Sequence, residues 1–358
     1  MGSKSALGRA ALRHAASERG ASYAAVALLS AALTLLLTSS APQSTGSHGV
    51  ASGMRMHHRR LGGAGDAADW MCKHQYAVTT WDRKRVPVCD PALCTATPAP
   101  LNAPAKGSSA ASRRWTPSDD DAYAAASPSV VGWLNDHQVR YVRVMTALQH
   151  QLGVFGAAGE IGVHHGKFFA VVAGNAAAAE PLVAIDLFEA QSENYDLSGS
   201  GSTANILYPE KLMSLMDATG IPRADVRLVS GNSLTLTASN FTSLGLPAWR
   251  MLSVDGGHSL ETTLHDVNVA ACTVRDGGIV IVDDWFNQEW TGVQEATYHA
   301  THALARLVPF MHGHNKIWMT TPSHASAYLD AARREFGCVD VHESRSSIGG
   351  SALCLLPE

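Results

Sequence analysis

Charge is scarce in this chain. Charged residues are 16% of its 358 residues and the formal net charge is only -4, so there is no bulk cationic field to draw in a nucleic-acid backbone. Nucleic acid is therefore not an expected partner. Cysteine is sparse too, with six residues, and the spacing of Cys72, Cys89, Cys94, Cys272, Cys338 and Cys354 does not match a zinc ribbon. The cluster of the first three agrees with an oxidising compartment, although unpaired small hydrophobes and disulfides both stay open. No internal repeat is present. The start MGSKSA misses the myristoylation pattern, because Ala6 stands where Ser or Thr is needed.

Long apolar runs are lacking except for one, Ser22 to Ser40, which carries no charge and approaches the roughly 20 residues that cross a bilayer as a helix. Lys4, Arg9, Arg13 and Arg19 precede it against the single acid Glu18, an asymmetry that keeps the N-terminal flank cytosolic. The expected organisation is a basic tail at 1–20, a signal anchor at 21–40 and a Pro/Ala/Ser/Gly-rich stem at 41–126. A Cys-containing island at 69–94, with Trp70, Tyr76 and Trp81, is either locally folded or docked on the main domain, which spans 127–358. On this reading the protein is a single-pass membrane protein whose main domain is lumenal, as in the Golgi or ER, or external. A cleaved signal peptide and an organellar transit peptide remain alternatives. Asn240-Phe241-Thr242 is a glycosylation sequon, usable only in a lumenal domain.

From Pro128 onward, helical periodicity alternates with short apolar strands, the pattern of a parallel sheet covered on both faces. The strands are VFGAAGEIG, PLVAIDLF, VRLVSG, RMLSVD and GGIVIVDDW, with a crossover helix marked by Leu260, Leu264, Val267 and Ala271. Such doubly wound α/β folds keep ligands at the carboxyl ends of their strands. Polar residues interrupt the apolar pattern at those ends: Glu160 and Gly162, Asp186, Asn232, Asp255, and Asp283 with Asp284. One acid at a strand end is commonly a helix cap or a solvated loop residue; repetition at five ends points to a site.

The run Glu160-Ile161-Gly162-Val163-His164-His165-Gly166 resembles the E-x-G-x-x-x-G motif of class I S-adenosylmethionine-dependent methyltransferases. It lacks the second glycine, two residues after the first, of nicotinamide enzymes. The segments VDGGHSLETTLHDVNVAACTVRDGG and IVIVDDWFNQEWTGV together resemble the branch of metal-dependent sugar O-methyltransferases, through D-G-x-H and an Asp-Asp pair. The resemblance spans Gly153 to Thr320 and implies a Rossmann-like fold with a mostly parallel seven-stranded sheet. It implies S-adenosylmethionine held by Glu160, Gly162, Gly166, Asp186, Asn232, Ser233 and Asp255, although Asn232 departs from the Asp usual there. It also implies magnesium or manganese on Asp255, Asp283 and Asp284, with His258 as base.

Chemistry supports that assignment independently. Carboxylates on adjacent strands, roughly 4.8 Å apart, can converge on one hard cation, and an alcohol gains from both a cation and a base when it loses its proton. His258, three residues past Asp255, is expected in the first turn of the next helix. Asp266 is expected on the solvent face of that helix. His164 and His165 are expected beside the cofactor, and Trp285, Asn287 and Trp290 either line an acceptor pocket or pack the sheet edge. The polar loop Gln191 to Asn205 reads as a lid or a plain surface loop. The acceptor is a small-molecule or glycan hydroxyl, with a sugar favoured. A phenolic acceptor is the alternative enzyme reading, since phenol-directed relatives place acidic ligands after the same strands; the His258 base distinguishes the two, because those relatives generally rely on a lysine. A non-catalytic cofactor-fold binding protein is the third reading, and homo-oligomers stay open.

Overall fold

The computed structural model describes residues 70–96, 98, 100–194, 208–338, 347–348 and 351–356. The tail and apolar run expected as anchor, and the stem up to residue 69, lie outside the described residues. Among the described residues no helix is long and apolar enough to cross a membrane.

The cysteine island is docked on the main domain. Strands β1 (Ala77–Thr79) and β2 (Arg85–Pro87) form an antiparallel hairpin, closed beside its base by the disulfide Cys72–Cys89. Met71 and Val88 are fully buried, and Lys73 N–H and Ala305 N–H exchange backbone bonds with Ala303 and Met71 carbonyls. A second disulfide, Cys94–Cys272, bolts the island to the crossover helix described below.

Residues 101–126 do more than the expected stem. Trp115 is 4% exposed, and its indole N–H donates to the Thr219 carbonyl at 2.8 Å. It lies so close to Gly174 that a Cβ there would come within 2.0 Å of the ring. Helix α1 (Pro117–Ala126) follows, capped reciprocally by Thr116 and Asp119. One buried Trp and one capped helix supply the apolar area and local bonds that composition alone did not suggest.

Helix α2 (Asp136–Gln151) starts at Asn135, whose side chain accepts from His137 N–H, and buries Val139, Val142 and Met145. The alternation then runs β3 (Ala157–Ile161), α3 (Lys167–Asn175), β4 (Leu182–Asp186), α4 (Pro209–Ala218), β5 (Val226–Ser230), α5 (Ala238–Ser243), β6 (Trp249–Val254), α6 (Leu260–Thr273) and β7 (Val274–Val282). Helix α7 (Thr291–Ala303), strands β8 (Val308–Gly313) and β9 (Lys316–Thr320), and α8 (Ala325–Phe336) complete the main layer. Three two-residue strands close the described chain: β10 (Ser347–Ile348), β11 (Ser351–Ala352) and β12 (Cys354–Leu355).

The sheet order is β12-β8-β9-β7-β6-β3-β4-β5. Pairing is parallel except where β9 inserts antiparallel between β7 and β8. This is the mostly parallel, Rossmann-like sheet expected, with eight strands rather than seven. The extra strand is β12, which pairs in parallel with β8 and is tied to the residue two past α8 by Cys338–Cys354. Strand β3 is flanked by β4 on one side and β6 on the other, so the order reverses there and opens a crevice at its carboxyl end.

Candidate functional site

The crevice is a cavity of about 870 Å³ lined by Glu160, Gly162, Asp186, Asn232, Ser233, Asp255, His258, Asp283 and Asp284. Gly166 stands apart: it is the left-handed N-cap of α3 and lies outside the lining. Gly162 has φ +82°, and a Cβ there would fall 1.8 Å from the Asp255 carbonyl oxygen. Only a residue without a side chain lets the turn after β3 pass this close to the turn after β6.

At one end of the cavity the Asp186 carboxylate accepts from His164 N–H at 3.0 Å and Phe188 N–H at 2.9 Å. These bonds fix it while leaving each oxygen a further lone pair. Burial still raises its pKa, against the pull of those backbone donors. Asn232 uses its side chain to cap the turn at Leu234 N–H, 3.0 Å. Ser233 Oγ donates to Asp266 at 2.9 Å. Asp266 is 1% exposed, which corrects the expectation of a solvent-facing residue: its carboxylate is covered by the Ser233 turn after β5 and by Gly256 after β6. His164 lies beside the cavity with its pKa pressed down to about 4 by burial and by His165.

The acidic end carries the chemistry. His258 Nε2 lies 3.0 Å from Asp284 Oδ2, and its ring stacks on Trp290 at 4.3 Å between centroids. It sits in the loop before the cap Ser259 and the first helical residue Leu260, not within the first turn as expected. Asp284 has φ +56°, a conformation rare for a non-glycine residue. It is held there by Asn287 and Asn315, whose side-chain amides donate to Oδ1. Burial would raise its pKa, but the bonds from His258 and Asn287 outweigh that and lower it. Asp284 is thus a fixed anion facing His258.

Asp283 pairs with the ammonium of Lys316, and its carboxylate also lies against that of Asp255. Around that pair, burial and the Asp283 charge raise Asp255 well above the usual carboxylate range. Burial drives Glu160 up to about 8, partly opposed by Lys316. Burial alone would lower Lys316, yet Asp283, Asp255 and Glu160 outweigh it and raise its pKa. The centre is rich in acids whose charged forms need positive partners. Donor atoms of Asp255, His258 and Asp284 all lie within 4.8 Å of one another, a spacing and oxygen-rich set that fit a hard divalent cation.

Sequence reasoning missed Lys316, His314 and Asn315 at the β8–β9 turn, and Trp133 to Asn135 and Gln138 before and in α2, all of which line the cavity. The only local signal for Lys316 is a charge heading the apolar run Ile317-Trp318-Met319. Trp290 and Asn287 line the cavity, whereas Trp285 does not; it packs at the sheet edge against His312. Gln191 to Asn194 reach the lining, and the rest of the proposed lid, from residue 195, lies outside the described residues.

Residues 160–285 match a family model described as a methyltransferase domain. Those residues carry a methyltransferase domain. Among solved structures it is similar to the O-methyltransferase NovP, with 17% identity, TM-score 0.42, and coverage of 51% of this chain and 79% of that one. It is similar to CalS11, a calicheamicin methyltransferase, with 18% identity, TM-score 0.40, and coverage of 57% and 93%. MycE, from the mycinamycin biosynthetic pathway and solved with Mg and SAH, shares 14% identity with TM-score 0.37 and coverage of 58% and 55%. No curated protein matches it by sequence.

Proposed function

We propose that this enzyme transfers the methyl group of S-adenosylmethionine to a hydroxyl oxygen of a sugar or glycan, with His258 as base and a magnesium or manganese ion at the acidic end. The observation that carries this reading is the His258–Asp284 pair at 3.0 Å in the same cavity as Glu160, Gly162 and Asp186. The acceptor oxygen forms its bond to the methyl carbon as the carbon–sulfur bond breaks and leaves its electron pair on sulfur. The hydroxyl proton passes to the His258 imidazole, and Asp284 stabilises the imidazolium that results. Asp255, Asp283 and Asp284 would hold the divalent cation, which would supply stabilisation of the developing alkoxide. Trp290, stacked on His258, offers the apolar face on which a sugar ring packs. Glu160, Asp186 and the Asn232-Ser233 turn serve the cofactor, and positioning for in-line attack supplies much of the acceleration.

The phenolic alternative gains a lysine in the cavity, Lys316. Its ammonium is paired with Asp283 and its pKa is raised, so it is a poor proton acceptor. His258 therefore remains the favoured base. We place the catalytic domain on a lumenal or external side of a membrane, with the three disulfides in support, since such bonds persist in oxidising compartments.

The test is calorimetric titration of the full chain with S-adenosylmethionine, with and without magnesium, followed by labelled methyl transfer to panels of sugars and phenols. His258→Ala should lower kcat by about 10²- to 10⁴-fold while leaving cofactor affinity unchanged. Absence of cofactor binding under every metal condition would sink the reading, and transfer to phenols alone would replace the sugar.

A further inference from the structure

The cavity is unbalanced in charge. Among the described residues its lining carries seven carboxyl-bearing side chains against two lysines and no arginine. Neither lysine is free to meet an anion: Lys167 donates to the Gly132 carbonyl at 2.9 Å, and Lys316 is 2% exposed, with its Nζ 4.4 Å from the centroid of the Phe168 ring. The stretch from Gln191 to Asn205 contains no lysine or arginine. Such a lining suits a sulfonium cofactor and a metal ion, and it offers no cation of its own to a phosphate or carboxylate on the acceptor. A charge of that kind would approach like charges in a partly enclosed space, where repulsion is stronger than in open water.

One of the seven acids has no partner. Glu289 is exposed and lines the cavity, and among the described residues no hydrogen bond or ion pair engages its carboxylate. Asn287 fixes its place from behind. The Asn287 Oδ1 accepts from Glu289 N–H at 3.0 Å, its amide donates to Asp284 at 2.9 Å, and its carbonyl accepts from Trp290 N–H at 3.1 Å and from the Gln294 amide at 3.0 Å. A single asparagine thus ties Glu289 and Trp290 to the aspartate that faces His258. Helix α7 begins at Thr291, so Glu289 stands just before a helix N-terminus, where negative charge is favoured. A carboxylate next to an aromatic ring matches a neutral sugar: the ring covers C–H groups while the two oxygens accept from adjacent hydroxyls.

We propose that Glu289 is a specificity-determining residue which, with Trp290, selects an uncharged acceptor carrying two adjacent hydroxyls and turns away phosphorylated and uronic-acid sugars. This rests on the sugar O-methyltransferase reading above and narrows its substrate class.

The experiment is methyl transfer from labelled S-adenosylmethionine by the full chain, in mild detergent with magnesium, to methyl hexopyranosides, their phosphate monoesters and the matching methyl uronosides. Neutral glycosides should give kcat/KM about tenfold or more above either anionic set. Glu289→Gln should raise KM for the neutral glycosides by about tenfold, more than it lowers kcat, and Glu289→Asp, which keeps the charge, should recover most of that loss. Glu289→Lys should shift the preference towards the anionic sets by about tenfold or more. S-adenosylmethionine affinity, measured by calorimetry on each variant, reports that the cavity is intact. Anionic acceptors used as well as neutral ones by the wild type, or an unaltered preference in Glu289→Lys, would overturn this proposal and leave sugar methylation standing. Transfer to phenols alone would remove both, because the sugar reading beneath it then fails.

Discussion

Replacing Arg250 by Met should destabilise the domain by about 3–5 kcal/mol, the cost of stripping one partner from a buried ion pair. Arg250 is fully buried on β6. Its Nε lies 2.8 Å from Glu180 Oε1, off the N–H direction, so that contact is ionic, while Nη1 donates to Thr146 Oγ1 at 3.0 Å and Gln149 Oε1 at 2.7 Å. Glu180 accepts in turn from Gly156 N–H at 2.9 Å and Ala177 N–H at 2.8 Å, and His150 Nε2 lies 3.2 Å away. Removing Arg250 leaves a buried carboxylate with two backbone donors and His150, without the fixed charge that balanced it. Removing the Glu180 charge by Glu180→Gln leaves a buried guanidinium with neutral acceptors only, at comparable cost. In a domain of this size about 1 kcal/mol shifts Tm by roughly 2 °C, so either change should lower Tm by about 6–10 °C. The double variant should be less damaging than the sum by about 1–3 kcal/mol, because neither charge is then stranded. Denaturant unfolding of the four proteins measures this directly. The pH dependence carries an independent sign. Burial would raise Glu180, but Arg250 and His150 outweigh it and hold its pKa below the ordinary glutamate value of 4.5. Its stabilisation is therefore present above that unfolded value and is lost as pH falls through the lower folded value. Glu180→Gln should lack that acid-side loss. A cost under about 1 kcal/mol for Arg250→Met, or strict additivity in the double variant, would refute the reasoning.

Gly162→Ala should abolish cofactor binding, and circular dichroism should show whether the fold goes with it, since the added Cβ would lie 1.8 Å from the Asp255 carbonyl oxygen; wild-type affinity would contradict the packing described. Glu160, with its folded pKa up to about 8 against 4.5 unfolded, binds its proton more tightly when folded. Ligand-free stability should therefore decline as pH rises from about 4.5 to about 8. Melting curves across that window should be flatter for Glu160→Gln, and an unchanged slope would remove burial of this acid as the cause.

Much of the site was legible because strand ends announce themselves: a run of buried apolar residues must stop where it meets polar ligand or solvent. Glu160, Asp186, Asp255, Asp283 and Asp284 were readable on that ground alone. Asp266 was not, since a helical position looks solvent-facing unless a distant segment is known to cover it, and here the Ser233 turn and Gly256 do so. Trp115 was overlooked for the opposite reason, a lone aromatic in a stretch whose composition suggests a linker.

The sequence by itself determined the alternation of strand and helix, the glycine that lets two turns touch, and the acids at the carboxyl edge, because periodicity and local sterics act over a few residues. Tertiary structure decided the pairing of the six cysteines, the eighth strand, and the different partners of Asp283 and Asp284. Each of these depends on which distant residue the sheet register and docking bring alongside. Lys316 reaches Asp283 across 33 positions of chain only because β9 runs antiparallel to β7, and no local pattern in the sequence encodes that meeting.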